Sequence, residues 1–264
     1  MTNHVLLLKN PTVPFDPYRC RCESHGFIPR FVPLLNHCHY DRQATIQFLT
    51  DDHFVNNVPV FIITSQRAVE MFSDCLNEID ETTRSKIFAK IAYTVGPATF
   101  KVLQQLGFTN VRGGENAGNG LKLSEIVKDE VDPNDQIVFF TGVIRKDIIP
   151  RQLREANFNL VEKVIYKTED KLDIITNFID HWEIIRTCSQ SDIQWIIFFS
   201  PQGTDSIIAH LKKMRLNDNI KIASIGPTTE TFLLENNIVP HVVAAKPHAD
   251  SLVESILKFQ SSNL

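Results

Sequence analysis

Two stretches of the chain combine a Gly-Pro turn with a hydroxyl residue, an arrangement that favours the binding of anions. Residues 91–99 (IAYTVGPAT) recur in similar form as residues 221–229 (KIASIGPTT). An apolar run that ends in Gly-Pro predicts a buried strand that turns sharply into a helix. The first N–H groups of that helix lack partners and lie at the positive end of its dipole, so they attract carboxylates and phosphates. Two copies predict two similar lobes, each with one such turn.

Two further pairs of segments repeat in the same order. Residues 59–69 (PVFIITSQRAV) match residues 195–204 (WIIFFSPQGT), and residues 119–123 match residues 250–252 more weakly. A repeat near half the chain length indicates two paralogous domains rather than a solenoid. The alternative is that strand–turn–helix punctuation is common to every α/β lobe.

The chain length fits one large domain or two modest ones, and the repeats favour two compact lobes. The chain has 264 residues, of which 43% are hydrophobic, and a net charge of −4, so its overall charge does not attract nucleic acid. No apolar run approaches the roughly 18 residues of a membrane span, and residues 5–8 are too short for the core of a signal peptide. We therefore expect a cytoplasmic protein that binds neither nucleic acid nor membrane, and we separately predict a monomer.

The cysteines form no disulfide framework, and reduced thiols are expected in a cytoplasmic chain. They are Cys20, Cys22, Cys38, Cys75 and Cys188. Cys20 and Cys22, together with residues 37–39 (HCH), leave a zinc site as an alternative. Zinc ligands are usually separated by two to four residues, whereas one intervening residue on a helix would point the two thiols about 200° apart. We therefore predict no metal.

Strand and helix patterns alternate along the chain, which predicts parallel sheets covered on both faces by helices. The predicted strands are residues 5–8, 58–64, 91–95, 136–140, 161–166, 195–199, 220–225 and 241–244. The predicted helices are residues 16–25, 41–49, 67–76, 98–106, 124–130, 146–156, 173–186, 204–214, 229–235 and 251–259. Residues 27–35 are expected to be an extended edge or connector. Ligands of such sheets collect at the carboxyl ends of the strands, where both Gly-Pro turns lie.

Two serines that follow strands are predicted to cap helices. Ser65 stands immediately before the helix at residues 67–76, in the position of an N-cap. Ser200 is followed by Pro201, and proline is favoured at the first position of a helix.

Sequence motifs of familiar catalytic sites are absent. No Gly-x-x-x-x-Gly-Lys-Ser/Thr, Gly-x-Ser-x-Gly or His-Glu-x-x-His pattern occurs. The glycine-rich residues 113–120 lack the Lys-Ser/Thr that closes a phosphate-binding loop, so a flexible loop is preferred over a nucleotide site. An enzyme with this sequence would bind and position its substrate without a cofactor, a metal or a nucleophile.

The order and spacing of several segments resemble the uroporphyrinogen-III synthase family over nearly the whole chain. The strongest match is residues 222–229 (IASIGPTT), followed in order by residues 242–244, Pro247 and residues 252–253. Supporting matches are residues 5–9, Pro33, and residues 65–69, 95–99, 141–142, 164–166 and 198–201. The resemblance implies an α/β fold of two similar lobes, each a parallel sheet flanked by helices, joined by two extended crossover segments.

The resemblance also implies how the chain is divided. Residues 1–36 with 171–264 would form one lobe, residues 40–166 the other, and residues 37–39 and 167–170 the crossovers. The first predicted strand would then have its sheet partners far along the chain.

The activity implied by the family is the closure of a linear tetrapyrrole, hydroxymethylbilane, to uroporphyrinogen III. The reaction releases water and inverts the terminal pyrrole ring, whereas closure without the enzyme proceeds without inversion. The pyrrole nitrogens supply the electrons, so neither a covalent nucleophile nor a metal is needed. Holding the terminal ring for attack at its substituted carbon is an orientation effect, which can contribute about 7–11 kcal/mol.

Because the substrate carries eight carboxylates, the resemblance implies a cleft between the lobes that is lined with hydrogen-bond donors. Backbone N–H groups at helix starts and a few basic side chains would bind the carboxylates. The expected substrate-binding residues are Lys9, Ser65, Arg67, Thr99, Lys146, Ser200, Thr228 and Thr229. The alternative is that the hydroxyls only cap helices and the basic side chains are only solvated.

Tyr166 matches the family tyrosine near a crossover and is expected to be the catalytic residue. Its hydroxyl can assist the departure of the substrate hydroxyl as a hydrogen-bond donor or acid. The alternative is a tyrosine that only packs between the lobes. His248 departs from the family pattern, which commonly has Pro-Thr at Pro247-His248, and Asp250 is then expected to cap the following helix.

Two functions of other classes fit parts of the sequence. A non-catalytic two-lobed protein could bind small anions at the same turns. A pair of receiver-like signalling domains would need acidic residues clustered at strand ends to hold a metal, but Lys9, Thr64 and Phe199 occupy those positions. The resemblance favours the cyclising enzyme over both.

Overall fold

The structure is a computed structural model that describes residues 3–13, 15–188, 192–214 and 216–262. The chain divides into two compact units. Unit 1 contains Met1–Asn36 and Glu169–Leu264, and unit 2 contains His37–Thr168. Each unit is built on a sheet of mainly parallel strands flanked by helices, so the α/β class expected from the sequence is confirmed. No described helix is both long and apolar enough to span a membrane.

Strands and helices alternate along most of the described chain. The strands are β1 (Asn3–Leu8), β2 (Phe27–Phe31), β3 (Leu35–His39), β4 (Val60–Ile63), β5 (Ile91–Val95), β6 (Val111–Gly114), β7 (Gln136–Gly142), β8 (Asn159–Asp170), β9 (Gln194–Phe198), β10 (Ile220–Ser224) and β11 (Val242–Val243). The helices are α1 (Pro17–Glu23), α2 (Arg42–Leu49), α3 (Asp52–Asn57), α4 (Gln66–Leu76), α5 (Glu81–Phe88), α6 (Pro97–Leu106), α7 (Gly120–Glu130), α8 (Ile148–Glu155), α9 (Ile174–Arg186), α10 (Asp205–Lys212), α11 (Pro227–Glu235) and α12 (Ala249–Ser262). Every predicted element is present, and the expected extended edge at residues 27–35 contains β2, while α3, α5, β3 and β6 are additional.

The sheet of unit 1 has the strand order β11-β10-β9-β1-β2, and all its pairings are parallel. β1 lies between β9 and β2, and its residues from Val5 to Leu8 are fully buried. Burial of consecutive residues is typical of a parallel strand whose two faces are both covered by helices.

The connection from β9 to α10 differs from the prediction. Ser200 does not cap the helix, because residues 201–203 form a turn and Thr204 becomes the N-cap residue. Gly203 in this turn has φ +76°, and a Cβ there would lie 3.0 Å from the Leu34 side chain. The chain therefore needs several more residues after β9 before the helix begins.

The sheet of unit 2 has the strand order β3-β8-β7-β4-β5-β6. The pairings among β4 to β8 are parallel. The edge strand β3 runs against β8, since Tyr40 N donates to Ile165 O while His37 bonds to Thr168, three residues further on. The sheet is therefore mixed at this edge.

Aromatic rings in the core of unit 2 fix the strands that carry the candidate site. Phe61 on β4 contacts Phe72 of α4, Phe108 and Phe140 of β7, with ring centroids 5.4–5.7 Å apart. Such pairs contribute about 0.5–1.5 kcal/mol each beyond the area they bury.

The glycine-rich residues 113–120 do not form one flexible loop, contrary to the prediction. Gly113 and Gly114 end β6, and Gly120 begins α7 with Asn119 as its N-cap. A Cβ on Gly113 would lie 2.3 Å from the Thr94 carbonyl oxygen, so this glycine allows close approach of two strands.

Candidate functional site

A cavity of about 400 Å³ opens at the carboxyl ends of β4, β5 and β7 in unit 2. Its volume is typical of a small-molecule site, and its position is that expected for a ligand of a parallel sheet. The polar lining residues are Thr64, Ser65, Asn119, Thr141, Arg145, Lys146 and Tyr166, and the apolar ones include Val95, Phe139, Ile144 and Ile149.

Tyr166 on β8 lines this cavity. Its hydroxyl lies 3.4 Å from Ser65 Oγ, to which it donates a long hydrogen bond. The Tyr166 backbone carbonyl accepts a hydrogen bond from Val143 N at 3.0 Å, which anchors this part of β8 to the end of β7. A ligand oxygen can replace the weak bond to Ser65 without disturbing the strand pairing.

Ser65 occupies the N-cap of α4, as predicted. Its Oγ accepts a hydrogen bond from Arg67 N at 3.2 Å. The guanidinium of Arg67 lies 2.9 Å from a carboxylate oxygen of Glu70, and Arg67 does not line the cavity. Ser65 therefore combines helix capping with a place in the cavity wall.

Two basic side chains line the cavity from the loop before α8. Arg145 lies 2.9 Å from Asp147 and also pairs with Glu162. Lys146 is exposed, and among the described residues it has no hydrogen-bond or ion-pair partner. Lys146 is therefore the cation of this cavity that is most available to an anionic ligand.

The Gly-Pro turn of unit 2 begins α6 without a side-chain cap. Gly96 has φ +76°, which favours glycine, and its N–H donates to the carbonyls of Gly114 and Ala117 at 3.0 and 3.1 Å. In the first turn of α6 Ala98 is exposed and Thr99 is buried. Their N–H groups precede the first intrahelical bond and are oriented to bind an anion.

The Gly-Pro turn of unit 1 begins α11 with the same burial pattern. It also lacks a side-chain cap, Thr228 is exposed and Thr229 is buried. Gly226 is extended with φ 170°, so this turn does not depend on the conformational freedom of glycine. The repeated sequence thus gives two similar helix starts with different backbone entries.

Lys9 follows β1 in unit 1, and the fold itself binds its ammonium group. Lys9 forms an ion pair with Asp16, whose side chain is 2% exposed. The rings of Tyr18, Phe31 and Phe199 have centroids 5.2–5.8 Å from Lys9 Nζ. Burial alone would raise the pKa of Asp16, but the ion pair and backbone hydrogen bonds outweigh it and hold that pKa below its usual value. Little of the Lys9 charge remains for another carboxylate.

Comparison with known proteins identifies the family of this chain. Residues 16–254 match the family described as uroporphyrinogen-III synthase HemD. The uroporphyrinogen-III synthases of Saccharomyces cerevisiae and Schizosaccharomyces pombe are 38% and 32% identical to the chain. These similarities cover 97% and 98% of this chain, and 96% and 98% of the two relatives. The chain belongs to the uroporphyrinogen-III synthase family.

A solved structure of the uroporphyrinogen-III synthase family has the same fold. The crystal structure of uroporphyrinogen-III synthetase from Helicobacter pylori 26695 matches with a TM-score of 0.58. The match covers 98% of this chain and 99% of that chain at 18% sequence identity.

His248 provides the helix cap that we expected from Asp250. Its Nδ1 accepts a hydrogen bond from Ser251 N at 3.3 Å at the start of α12. Asp250 instead forms an ion pair with Arg21 at 2.9 Å. The expectation for Asp250 was therefore wrong, because an imidazole nitrogen serves as the acceptor.

The alternative of a metal site finds no support in the described part of the chain. No group of three or more His, Cys, Asp or Glu side chains there is placed to hold a metal ion. Cys20 and Cys22 lie on α1, and burial raises the pKa of Cys22 to about 12.

The cavity of unit 2 brings together three of the residues expected from the family resemblance, Ser65, Lys146 and Tyr166. Arg67 and Thr99 belong to the same unit but do not line the cavity. The other expected residues belong to unit 1: Lys9, Ser200, Thr228 and Thr229.

Several lining residues were not expected from the sequence. They are Thr64, Asn119, Thr141 and Gly142. Their common signal is that they follow predicted strands or lie in the glycine-rich segment, which we had interpreted as a flexible loop.

Proposed function

We propose that this protein closes hydroxymethylbilane to uroporphyrinogen III, a step of heme biosynthesis, and that the reacting end of the substrate binds in the cavity of unit 2. Membership of the family over nearly the whole chain supports the reaction. The location rests on one observation: Tyr166, the expected catalytic residue, lines this cavity beside Ser65 and Lys146. The enzyme is a cyclising lyase that eliminates water.

Tyr166 acts on the hydroxyl that leaves. As the C–O bond breaks, the electron pair comes from the pyrrole system and the phenol gives its proton to the departing oxygen, which leaves as water. After attack at the substituted carbon, the older bond from that carbon to its methylene bridge breaks and re-forms at the free α-carbon of the terminal ring, which inverts the ring. The proton that this α-carbon loses restores the phenol. General acid catalysis of this kind contributes typically 10²–10⁴-fold. The cavity holds Tyr166 without a charged neighbour in direct hydrogen-bond contact, since its described partner is the Ser65 hydroxyl.

The carboxylate arms bind to cations and backbone donors. Lys146 pairs with an arm near the reacting end, and Ser65 donates its hydroxyl proton to it. The N–H groups of Thr99, Thr228 and Thr229 hold other arms at the two Gly-Pro turns, with Ser200 and Arg67 in lesser roles. These contacts fix the terminal ring for attack at its substituted carbon, an orientation effect of about 7–11 kcal/mol.

The proposal is tested by incubating the purified protein with hydroxymethylbilane and separating the oxidised isomers. We expect the inverted isomer III to be the main product. An anion-binding protein without activity would yield only the uninverted isomer that forms spontaneously, and this result would remove the proposed function.

We further propose that the enzyme works as a monomer in the cytoplasm. All five cysteines are free thiols, which suits a reducing compartment. Cell fractionation tests the location, and light scattering of the purified chain tests the monomer. A membrane-enclosed location or a stable dimer would overturn the corresponding statement.

A further inference from the structure

A register shift aims Tyr166 into the cavity. β7 and β8 pair in parallel up to Thr141 with Val164, but the next pair is Gly142 with Tyr166, so Ile165 is passed over. Ile165 is fully buried in the core of unit 2, and Tyr166 packs partly against the same core. Two consecutive residues thus face one side, which a regular strand does not allow. Irregularities of this type re-aim side chains beside active sites.

Gly142 leaves the space that the Tyr166 ring fills. A Cβ built on Gly142 would lie 2.5 Å from Tyr166 Cζ, 2.7 Å from Cε1 and 2.9 Å from the hydroxyl oxygen. These distances are far below van der Waals contact, so any side chain at position 142 would displace the ring. The displaced part would be the end of the ring that carries the hydroxyl.

The backbone of Gly142 does not itself require glycine. The described glycines with φ in the left-handed range that L-residues avoid are Gly26, Gly96, Gly107, Gly113, Gly114 and Gly203. Gly142 is not among them, so its conformation is open to an L-residue. The missing side chain therefore matters at this position only for the space that it leaves.

We propose that Gly142 is the positioning residue of Tyr166, which sets the hydroxyl at the distance from the substrate that proton donation needs. This inference rests on the proposed catalytic role of Tyr166. A shift of about 1 Å in a catalytic group can cost about 100-fold in rate, and the clash at Gly142 demands a shift of that size.

The test is a double-mutant cycle of Gly142→Ala and Tyr166→Phe, with kcat and KM measured on hydroxymethylbilane. We expect Gly142→Ala alone to lower kcat about 100-fold and to leave KM within about twofold, because the substrate arms keep their partners. In the Tyr166→Phe background the same change should lower kcat less than about threefold, since no hydroxyl remains to be misplaced.

Gly114→Ala is a control for a clash with an aromatic ring on the same sheet, and the φ of +55° at Gly114 adds backbone strain that Gly142 does not have. A Cβ there would lie 2.6 Å from Phe100 Cδ2, but Gly114 does not line the cavity. We expect this variant to lose thermal stability and to keep kcat within about threefold of wild type.

Thermal unfolding keeps the inference testable if Gly142→Ala is unstable. Tyr166→Ala removes the ring, so the double variant Gly142→Ala/Tyr166→Ala should unfold at a higher temperature than Gly142→Ala alone. No recovery would mean that the ring is not the obstructed group and would overturn the inference.

The outcomes separate the two proposals. If Tyr166→Phe keeps the wild-type kcat, the proposed role of Tyr166 fails and this inference fails with it. If Tyr166→Phe is slow but Gly142→Ala is normal, only the positioning role fails. The positioning role also fails if Gly142→Ala lowers kcat by the same factor in the wild-type and Tyr166→Phe backgrounds. Equal factors would mean that the two substitutions act independently.

Discussion

The two units begin a helix with nearly the same sequence, Gly-Pro-Ala-Thr in one and Gly-Pro-Thr-Thr in the other, yet they use their basic residues differently. In unit 2 Lys146 lines the cavity and has no partner among the described residues. In unit 1 Lys9 is paired with Asp16 and surrounded by three aromatic rings. A repeated sequence thus preserves backbone donors, whereas the side chains after each strand decide where charge is available to a ligand.

The connections from strand to helix also differ between the two units. Thr64 and Ser65 alone separate β4 from α4, and Ser65 caps the helix. In unit 1 residues 199–204 separate β9 from α10, and Ser200 caps nothing. Proline and a left-handed glycine after Ser200 favour a turn at that point, so the matching serine cannot become the N-cap.

Lys9→Met tests the comparison most strongly. Removing the ammonium leaves the Asp16 carboxylate buried without its ionic partner, so we expect the free energy of unfolding to fall by about 3–5 kcal/mol. Urea unfolding measures the loss. The double variant Lys9→Met/Asp16→Asn should recover part of it, because the buried charge is then removed. If Lys9→Met raised KM at unchanged stability, Lys9 would serve the substrate and the contrast between the units would disappear.

Tyr166→Phe measures how much of the chemistry depends on unit 2. We expect kcat to fall about 100-fold because the departing hydroxyl loses its proton donor, with isomer III still the main product because the arms stay bound. Tyr40→Phe, at an exposed tyrosine of the same unit, is the control and should retain wild-type kcat. Normal turnover by Tyr166→Phe would limit Tyr166 to packing.

Lys90→Met tests a basic side chain of unit 2 that stabilises the fold instead of facing the cavity. Lys90 is 6% exposed, and its Nζ donates to the carbonyl oxygens of Phe54 at 2.7 Å, Val55 at 2.9 Å and Val58. Methionine would leave these acceptors at the end of α3 unpaired, so we expect a loss of about 2 kcal/mol of stability at pH 7. Unchanged stability would mean that water replaces the ammonium.

The same variant has a defined pH dependence. Burial lowers the pKa of Lys90 to about 8 in the folded protein, from an ordinary value of 10.5. Between these values the unfolded chain binds more protons than the folded one, so the Lys90 contribution to stability rises with pH. The difference in unfolding free energy between wild type and Lys90→Met should therefore widen from pH 8 to 10.5.

Lys146→Gln tests the available cation of the cavity. We expect KM to rise about tenfold with little change in kcat, because a carboxylate contact is lost in the ground state and the transition state alike. Stability should change by less than about 0.5 kcal/mol at this exposed position. Lys122→Gln, on α7 and outside the cavity lining, is the matched control. Equal KM values for the two variants would contradict the role of Lys146.

His248→Ala has the smallest expected effect. It removes the acceptor for Ser251 N at the start of α12 and should cost about 1 kcal/mol of stability. His248→Ser restores an acceptor and should unfold close to the wild type. If His248→Ala changed nothing, the bond between His248 and Ser251 would have no role in stability.

Much of the fold could be predicted because apolar runs and turn residues mark its strands and helices. Residues 91–106 show this, since the strand, the Gly-Pro turn and the end of the helix at residue 106 are found as predicted. α3 and α5 were not predicted because they are short and polar, and because aspartates such as their N-caps Asp51 and Asp80 are also common in loops. β6 was not predicted because two glycines in sequence are typical of a loop. In the structure these glycines allow β6 to pack closely against its neighbours.

The candidate site was only partly predictable. Ser65 follows a strand and precedes a helix, so local pattern was enough to find its cap role. The contact between Gly142 and Tyr166 depends on a register shift between distant strands, which no local pattern reveals. The pairing of Lys9 with Asp16 likewise depends on how the chain folds back after β1, and the sequence alone showed only a basic residue at a strand end.

The position of β1 within its sheet has a consequence for how the polypeptide is made. β1, α1 and β2 leave the ribosome before β9, but β1 also pairs with β9, with Val5 beside Trp195. At about 5–20 residues per second the ribosome needs on the order of 10–30 s to reach that partner. Unit 2 is continuous in the chain and can complete its core meanwhile. Until β9 is made, β1 therefore keeps one apolar strand edge unpaired, and such an edge can pair with other chains.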